Sequence, residues 1–86
     1  MAGLIAGLVI NERGEAVPAA RVWLAEGPVA LPDIAALSDE RGSFTLSAAA
    51  TGSYTVECAA DGYLTQSRSI AVRDGERVEV RFRLER

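Results

Sequence analysis

The chain has 86 residues, with nine basic and twelve acidic side chains and a formal net charge of -3. A chain this short buries only about 60% of the surface that its unfolded form exposes, so we expect one domain over residues 1–86. The absence of histidine and lysine and the single cysteine exclude imidazole or thiolate metal sites, histidine acid–base catalysis, Schiff-base chemistry and an internal disulfide. The acidic balance disfavours a nucleic-acid partner, and we expect neither a cofactor nor enzymatic activity.

The N-terminal run from Met1 to Ile10 is apolar, which is also typical of a secretory signal. It has no basic residue before it and no spaced small-residue cleavage site, so we interpret it as a strand and expect no signal peptide. Ten apolar residues are too few to cross a bilayer as a helix, and we expect no membrane insertion.

Short segments of period-two hydrophobicity then alternate with turn residues, a pattern that predicts an all-β sandwich or barrel. The first predicted strand is Leu4–Ile10 and the second is Arg21–Ala25. In the second, Val22 and Leu24 share one face, so Trp23 points the opposite way.

The segment 25–37 is interrupted by glycine and two prolines, which predicts a long loop with at most a short extended or helical piece. A tight turn follows over Ser38–Gly42. There the Asp39 carboxylate can accept backbone N–H groups, and Gly42 can adopt a positive φ.

The remaining strands give a total of about seven. The final segment is the clearest, because its apolar side chains alternate with arginine and glutamate, which predicts one core face and one solvated face. We predict strands at Ser43–Leu46, Tyr54–Ala59, Tyr63–Ser67, Ser69–Val72 and Arg77–Glu85, the third and fourth being separate or one bent strand.

Landmarks in a fixed order extend over nearly the whole chain, although each is weak alone. They are Gly7-Leu8-Val9, Val17-Pro18-Ala19-Ala20-Arg21-Val22-Trp23-Leu24, Ser38-Asp39-Glu40-Arg41-Gly42-Ser43-Phe44, Gly52-Ser53-Tyr54-Thr55-Val56, Ala60-Asp61-Gly62-Tyr63, Ile70-Ala71-Val72 and Val80-Arg81-Phe82-Arg83-Leu84. Together they resemble a carboxypeptidase regulatory-like domain. The resemblance implies a seven-stranded antiparallel Greek-key β-sandwich of transthyretin-like or immunoglobulin-like form, without catalysis of its own and mostly extracytoplasmic. Ser38 replaces the threonine usual in that family, and Ala19 a frequent glycine.

The candidate binding feature is Trp23 with the apolar loop that follows it. Contiguous exposed apolar surface marks contact sites, and tryptophan beside arginine is typical of them. We therefore predict a contact surface for a protein partner or a second copy, made of Arg21, Trp23, Val29, Leu31, Ile34 and Leu37. Two alternatives remain open: the loop folds over Trp23 and buries it, or Trp23 stacks on a carbohydrate.

The other reactive side chains have structural interpretations. Cys58 is in phase with Tyr54 and Val56, which predicts a buried, inert thiol. Turn carboxylates gathered at one end of the sandwich could bind calcium, but they lack the spacing of a calcium loop and are typical of turn hydrogen bonding. A general acid among them would lack a suitable base. These carboxylates are Asp39, Glu40, Asp61, Asp74 and Glu76.

Overall fold

The structure, a computed structural model, describes residues 3–31 and 35–86. Over these residues the chain is all-β and folds into two sheets, which confirms the predicted fold class. The strands are β1 (Gly3–Asn11), β2 (Arg21–Glu26), β3 (Ala36–Leu37), β4 (Ser43–Ala48), β5 (Gly52–Ala59), β6 (Gln66–Val72) and β7 (Arg77–Leu84).

The number seven arises differently from the prediction. The two short segments predicted between Tyr63 and Val72 are one strand, β6, which begins only at Gln66. The additional strand is β3, a two-residue piece inside the segment that we predicted to be a loop.

The two sheets have the strand orders β4-β1-β7 and β3-β2-β5-β6. Every pair of strands is antiparallel except β1 and β7, which run parallel from Leu4 opposite Arg77 to Asn11 opposite Leu84. This pair departs from the fully antiparallel sandwich that the resemblance implied. Because the first and last strands run in the same direction, β1 begins at one end of the sandwich and β7 ends at the other. The longest dimension is 36 Å.

The core lies between the sheets and follows the predicted period of two. Val22 on β2 and both Val56 and Cys58 on β5 are fully buried. The rings of Phe44 and Phe82 pack with their centroids 6.1 Å apart. Burying the alternate side chains of both sheets supplies the main stabilisation of so small a domain.

Tyr63, where the sequence predicted a strand to begin, lies before β6 and outside the core. It is half-buried at the rim of the sandwich, where it packs against core residues. The Asn11 amide nitrogen lies 3.5 Å from its hydroxyl, and the Arg86 guanidinium lies 5.3 Å from its ring centroid. The hydrogen bond with Arg86, and then the one with Asn11, lowers the pKa of Tyr63.

The turn between β3 and β4 has the predicted geometry. Asp39 Oδ1 accepts hydrogen bonds from the backbone N–H groups of Arg41 and Ser43, both at 2.9 Å. Gly42 has a φ of +79°, a conformation that side-chain-bearing residues rarely adopt. The Asp39 carboxylate is therefore part of the turn that leads into β4.

Candidate partner-contact surface

The outer face of the four-stranded sheet carries three of the predicted contact residues. Arg21 lies opposite Leu37 of β3 on one side and opposite Ala59 of β5 on the other. Trp23 is two residues further along β2 and lies opposite Glu57. Since directly opposed residues in a sheet share a face, these side chains all project away from the core.

The apolar part of this surface is open to solvent. Leu37 is 63% exposed and Trp23 is half-buried. Leu37 is diagonal to Trp23 across the sheet, a separation of about 7 Å that a tryptophan ring can bridge. We call Arg21, Trp23 and Leu37 the Trp23 patch.

Charged side chains surround the Trp23 patch. The Arg21 guanidinium lies 3.8 Å from an Asp61 carboxylate oxygen, and both side chains are well exposed. Glu57 lies across the sheet from Trp23, and Glu26 follows on the same strand. An apolar centre with a charged rim is the arrangement found in protein-contact surfaces.

Of the other three predicted residues, Val29 and Leu31 lie in the loop that follows β2. Leu31 is half-buried and packs against the core. A Cβ added to Gly27 would lie 2.8 Å from the Tyr54 ring and 3.2 Å from Leu31 Cδ2, so this part of the loop lies against Tyr54. Val29 is 46% exposed in the same loop, and Ile34 lies outside the described residues.

Ser38 holds β3 in place beside β2. Its hydroxyl accepts a hydrogen bond from the Ala20 N–H at 2.9 Å and donates one to the Val17 carbonyl at 2.7 Å. Leu37 was predicted to lie in a loop, but it pairs with Arg21 in the sheet. The signal for this pairing was Ser38, a small polar residue that can link two segments when it is buried.

Cys58 has the environment that the sequence predicts. Its side chain is fully buried on the inner face of β5. Burial raises the pKa of the thiol to about 11, although the positive charge of Arg21 opposes this shift. The thiol is therefore neutral near pH 7 and a poor nucleophile.

The turn carboxylates do not gather at one end of the sandwich. Asp39 lies at the start of β4, which pairs with the end of β1, whereas Glu76 accepts a backbone hydrogen bond from Leu4 at the beginning of β1. Within residues 3–31 and 35–86, no three His, Cys, Asp or Glu side chains lie close enough together to hold a metal ion. The same residues include no helix long and apolar enough to cross a membrane.

The sequence profile of the carboxypeptidase regulatory-like domain family matches residues 4–85. The chain belongs to that family. The match confirms the resemblance seen in the ordered landmarks. A search of curated proteins finds no match to this carboxypeptidase regulatory-like domain.

This chain spans only part of the length of the solved structures that share its fold. A variant of BcpA, the major pilin subunit of Bacillus cereus, matches with a TM-score of 0.80 and 15% identity over 98% of this chain and 29% of its own. The Bacillus anthracis TIE protein matches with a TM-score of 0.78 and 18% identity over 98% and 16%. A type II cohesin–X-dockerin complex from Acetivibrio cellulolyticus matches with a TM-score of 0.66 and 17% identity over 90% and 51%.

Proposed function

We propose that this carboxypeptidase regulatory-like domain is a non-catalytic structural module, in a larger protein or a self-associating assembly, and that its Trp23 patch contacts another protein surface. The observation that carries the proposal is Leu37, 63% exposed beside Trp23 on a sheet face. An apolar side chain left this open, with a tryptophan and an arginine beside it, resembles the centre of an interface.

The geometry of the sandwich supports a role within a larger assembly. Because β1 and β7 are parallel, polypeptide before β1 and polypeptide after β7 would lie at opposite ends of a 36 Å long body. Modules of this kind can follow one another in a row. The pilin subunit and the cohesin–X-dockerin complex provide examples of assembly proteins with this fold.

Trp23 offers a direct test, because it is the only tryptophan in the chain. Its fluorescence emission reports on the patch alone. We expect emission to shift to shorter wavelength, and acrylamide quenching to fall, when the protein is concentrated or when the adjoining polypeptide is added. A Leu37→Ser variant should weaken this response.

Leu64 provides the matched control. It is a leucine with the same 63% exposure, but it lies in the turn between β5 and β6 outside the patch. A Leu64→Ser variant should therefore retain the wild-type response. Equal effects of the two substitutions would contradict a specific contact at the patch.

The carbohydrate alternative gives a different result in the same assay. If Trp23 stacks on sugar rings, millimolar glycans should shift its emission, and the Leu37→Ser variant should respond to them almost as the wild type does. The flanking Glu57 and Arg21 could also hydrogen-bond hydroxyl groups. Emission that stays unchanged across a glycan panel would exclude this alternative.

A further inference from the structure

The two sheets have four edges, and three of them are short, charged or covered. β3 has only two residues. β6 carries Arg68, whose guanidinium lies over the Phe82 ring of β7 at 5.8 Å, and Gln66 donates a hydrogen bond to the Arg83 carbonyl. These contacts join the edges of β6 and β7. Charged residues and covered edges are the usual protection against pairing with another chain.

The fourth edge, β4, lacks such protection. Its residues, Ser-Phe-Thr-Leu-Ser-Ala, include no charged residue and no proline. It pairs with β1 over six consecutive residues without a register shift, so no bulge turns the strand aside. A regular, uncharged edge strand is a template for a further strand.

The hydrogen bond from the Val9 N–H to the Gly42 carbonyl, at 2.8 Å, fixes which residues of β4 face β1. In an antiparallel ladder the backbone groups of alternate residues face the same neighbour. The backbone N–H and C=O groups of Phe44, Leu46 and Ala48 are therefore directed at β1. Those of the residues between them are directed outward, away from the sheet.

The outward-facing residue nearest the turn already has partners. The Ser43 carbonyl accepts from the Asp39 N–H at 3.0 Å, and its own N–H donates to the Asp39 carboxylate. Thr45 and Ser47 are exposed, and nothing in the described part of the chain hydrogen-bonds to their outward N–H and C=O groups. The free edge thus consists of four backbone groups on two residues.

We propose that β4 pairs antiparallel with β4 of a second copy, which joins the two three-stranded sheets into one sheet of six strands. With the two-fold axis at Leu46, Thr45 of each copy lies opposite Ser47 of the other. Each such pair exchanges two hydrogen bonds, so all four free groups of both copies are satisfied. The side chains brought together are small, neutral and hydroxylated, and no like charges meet.

The register is also selected by the ends of β4. A shift towards the turn places Ser47 opposite Ser43 of the second copy, whose backbone groups are already bound to Asp39. A shift the other way requires residue 49, which is beyond the last residue of the strand. Only the register centred on Leu46 is complete, and this self-complementarity indicates a second copy rather than an unrelated peptide.

The expected dimer is weak, because the shared edge is short. Sedimentation velocity and light scattering over about a hundredfold concentration range should show a reversible monomer–dimer equilibrium. Thr45→Pro removes one edge N–H per copy and should raise the dissociation constant at least about tenfold, because each dimer loses two hydrogen bonds. Proline is tolerated at an edge position whose N–H faces outward.

Two further variants complete the design. Thr45→Val has a similar shape and keeps the backbone N–H, so it should dimerise like the wild type. Ser47→Lys places a charge on the edge and should weaken the dimer even if the proline variant fails to fold. Leu37→Ser should leave this equilibrium unchanged, because the Trp23 patch lies on the other sheet.

Amide hydrogen exchange provides a direct reading of the wild type. The amides of Thr45 and Ser47 should gain protection as the concentration rises, while the exposed amides of β6 do not. A monomer at every concentration would overturn the proposal. So would a dimer in which these two amides still exchange freely.

Discussion

Replacing Ser38 with alanine should destabilise the domain far more than the loss of one hydroxyl suggests. Ser38 is 5% exposed, and its hydroxyl is bound to the Ala20 N–H and the Val17 carbonyl. Ala20 and Val17 are 0% and 6% exposed, so neither group can readily turn to water. A buried backbone group left without a partner costs about 1–3 kcal/mol, and two predict a loss of about 2–6 kcal/mol in the free energy of unfolding. That is a large part of the ~5–15 kcal/mol typical of a domain.

Urea denaturation followed by circular dichroism measures this loss. Ser38→Thr keeps the hydroxyl and should retain most of the stability, whereas Ser69→Ala, an exposed serine on β6, should change it by less than about 0.5 kcal/mol. The reasoning is refuted if Ser38→Ala behaves like Ser69→Ala, because the two backbone groups would then have found other partners. Equal losses for alanine and threonine would show that shape, not hydrogen bonding, decides the stability.

Two other substitutions test the core. Phe82→Ala should cost about 3–5 kcal/mol, since the ring is fully buried against Phe44, and chemical denaturation should show no comparable loss for the exposed neighbour Arg81→Ala. Because burial raises the folded pKa of Cys58 from 9.0 to about 11, its contribution to stability is fully present below pH 9 and is lost as the pH rises through about 11. Between pH 8 and pH 11 the free energy of unfolding should therefore fall less steeply for Cys58→Ala than for the wild type. Parallel pH profiles of the two proteins would contradict the raised pKa of Cys58.

The local sequence pattern was sufficient to predict the buried face of strands that have one apolar and one polar face. β7 alternates apolar and charged residues from Arg77 to Leu84, and the structure buries Val80, Phe82 and Leu84 on one face. β1 was harder to orient, because it is apolar on both faces. Such a strand belongs in the middle of a sheet, but nothing local states which neighbour is parallel to it. The β1–β7 pairing depends on contacts far apart in the sequence.

For the predicted contact surface, too, some positions follow from local pattern and others depend on distant contacts. The outward phase of Trp23 follows from the alternation in β2, and so it could be predicted. The position of Leu37 depends on a two-residue strand held by Ser38, 18 positions from its bonding partner Ala20, and no periodicity can appear in two residues. The position of Leu31 also depends on distant contacts, because its side chain packs against the core. The glycine and prolines of its loop predicted a surface position. In the structure Leu31 is partly buried against the core, in the part of the loop that lies near Tyr54.

The two sheets differ in the exposure of the leucine side chains that lie opposite arginines. On the outer face of the three-stranded sheet, Leu4 and Leu8 lie directly opposite Arg77 and Arg81, and both leucines are only half exposed or less. The aliphatic stems of arginine can cover such side chains while the guanidinium stays in water. Consequently this face has no large exposed apolar residue among those described.

The four-stranded sheet has the same pairing with the opposite result. Leu37 lies opposite Arg21, but the Arg21 guanidinium is directed to Asp61, 3.8 Å away. Leu37 consequently remains 63% exposed. An exposed ion pair of this kind adds little stability, so a partner that covers Leu37 could redirect Arg21 at small cost. In the free domain Leu37 is thus uncovered beside an Arg21 side chain that Asp61 holds only weakly.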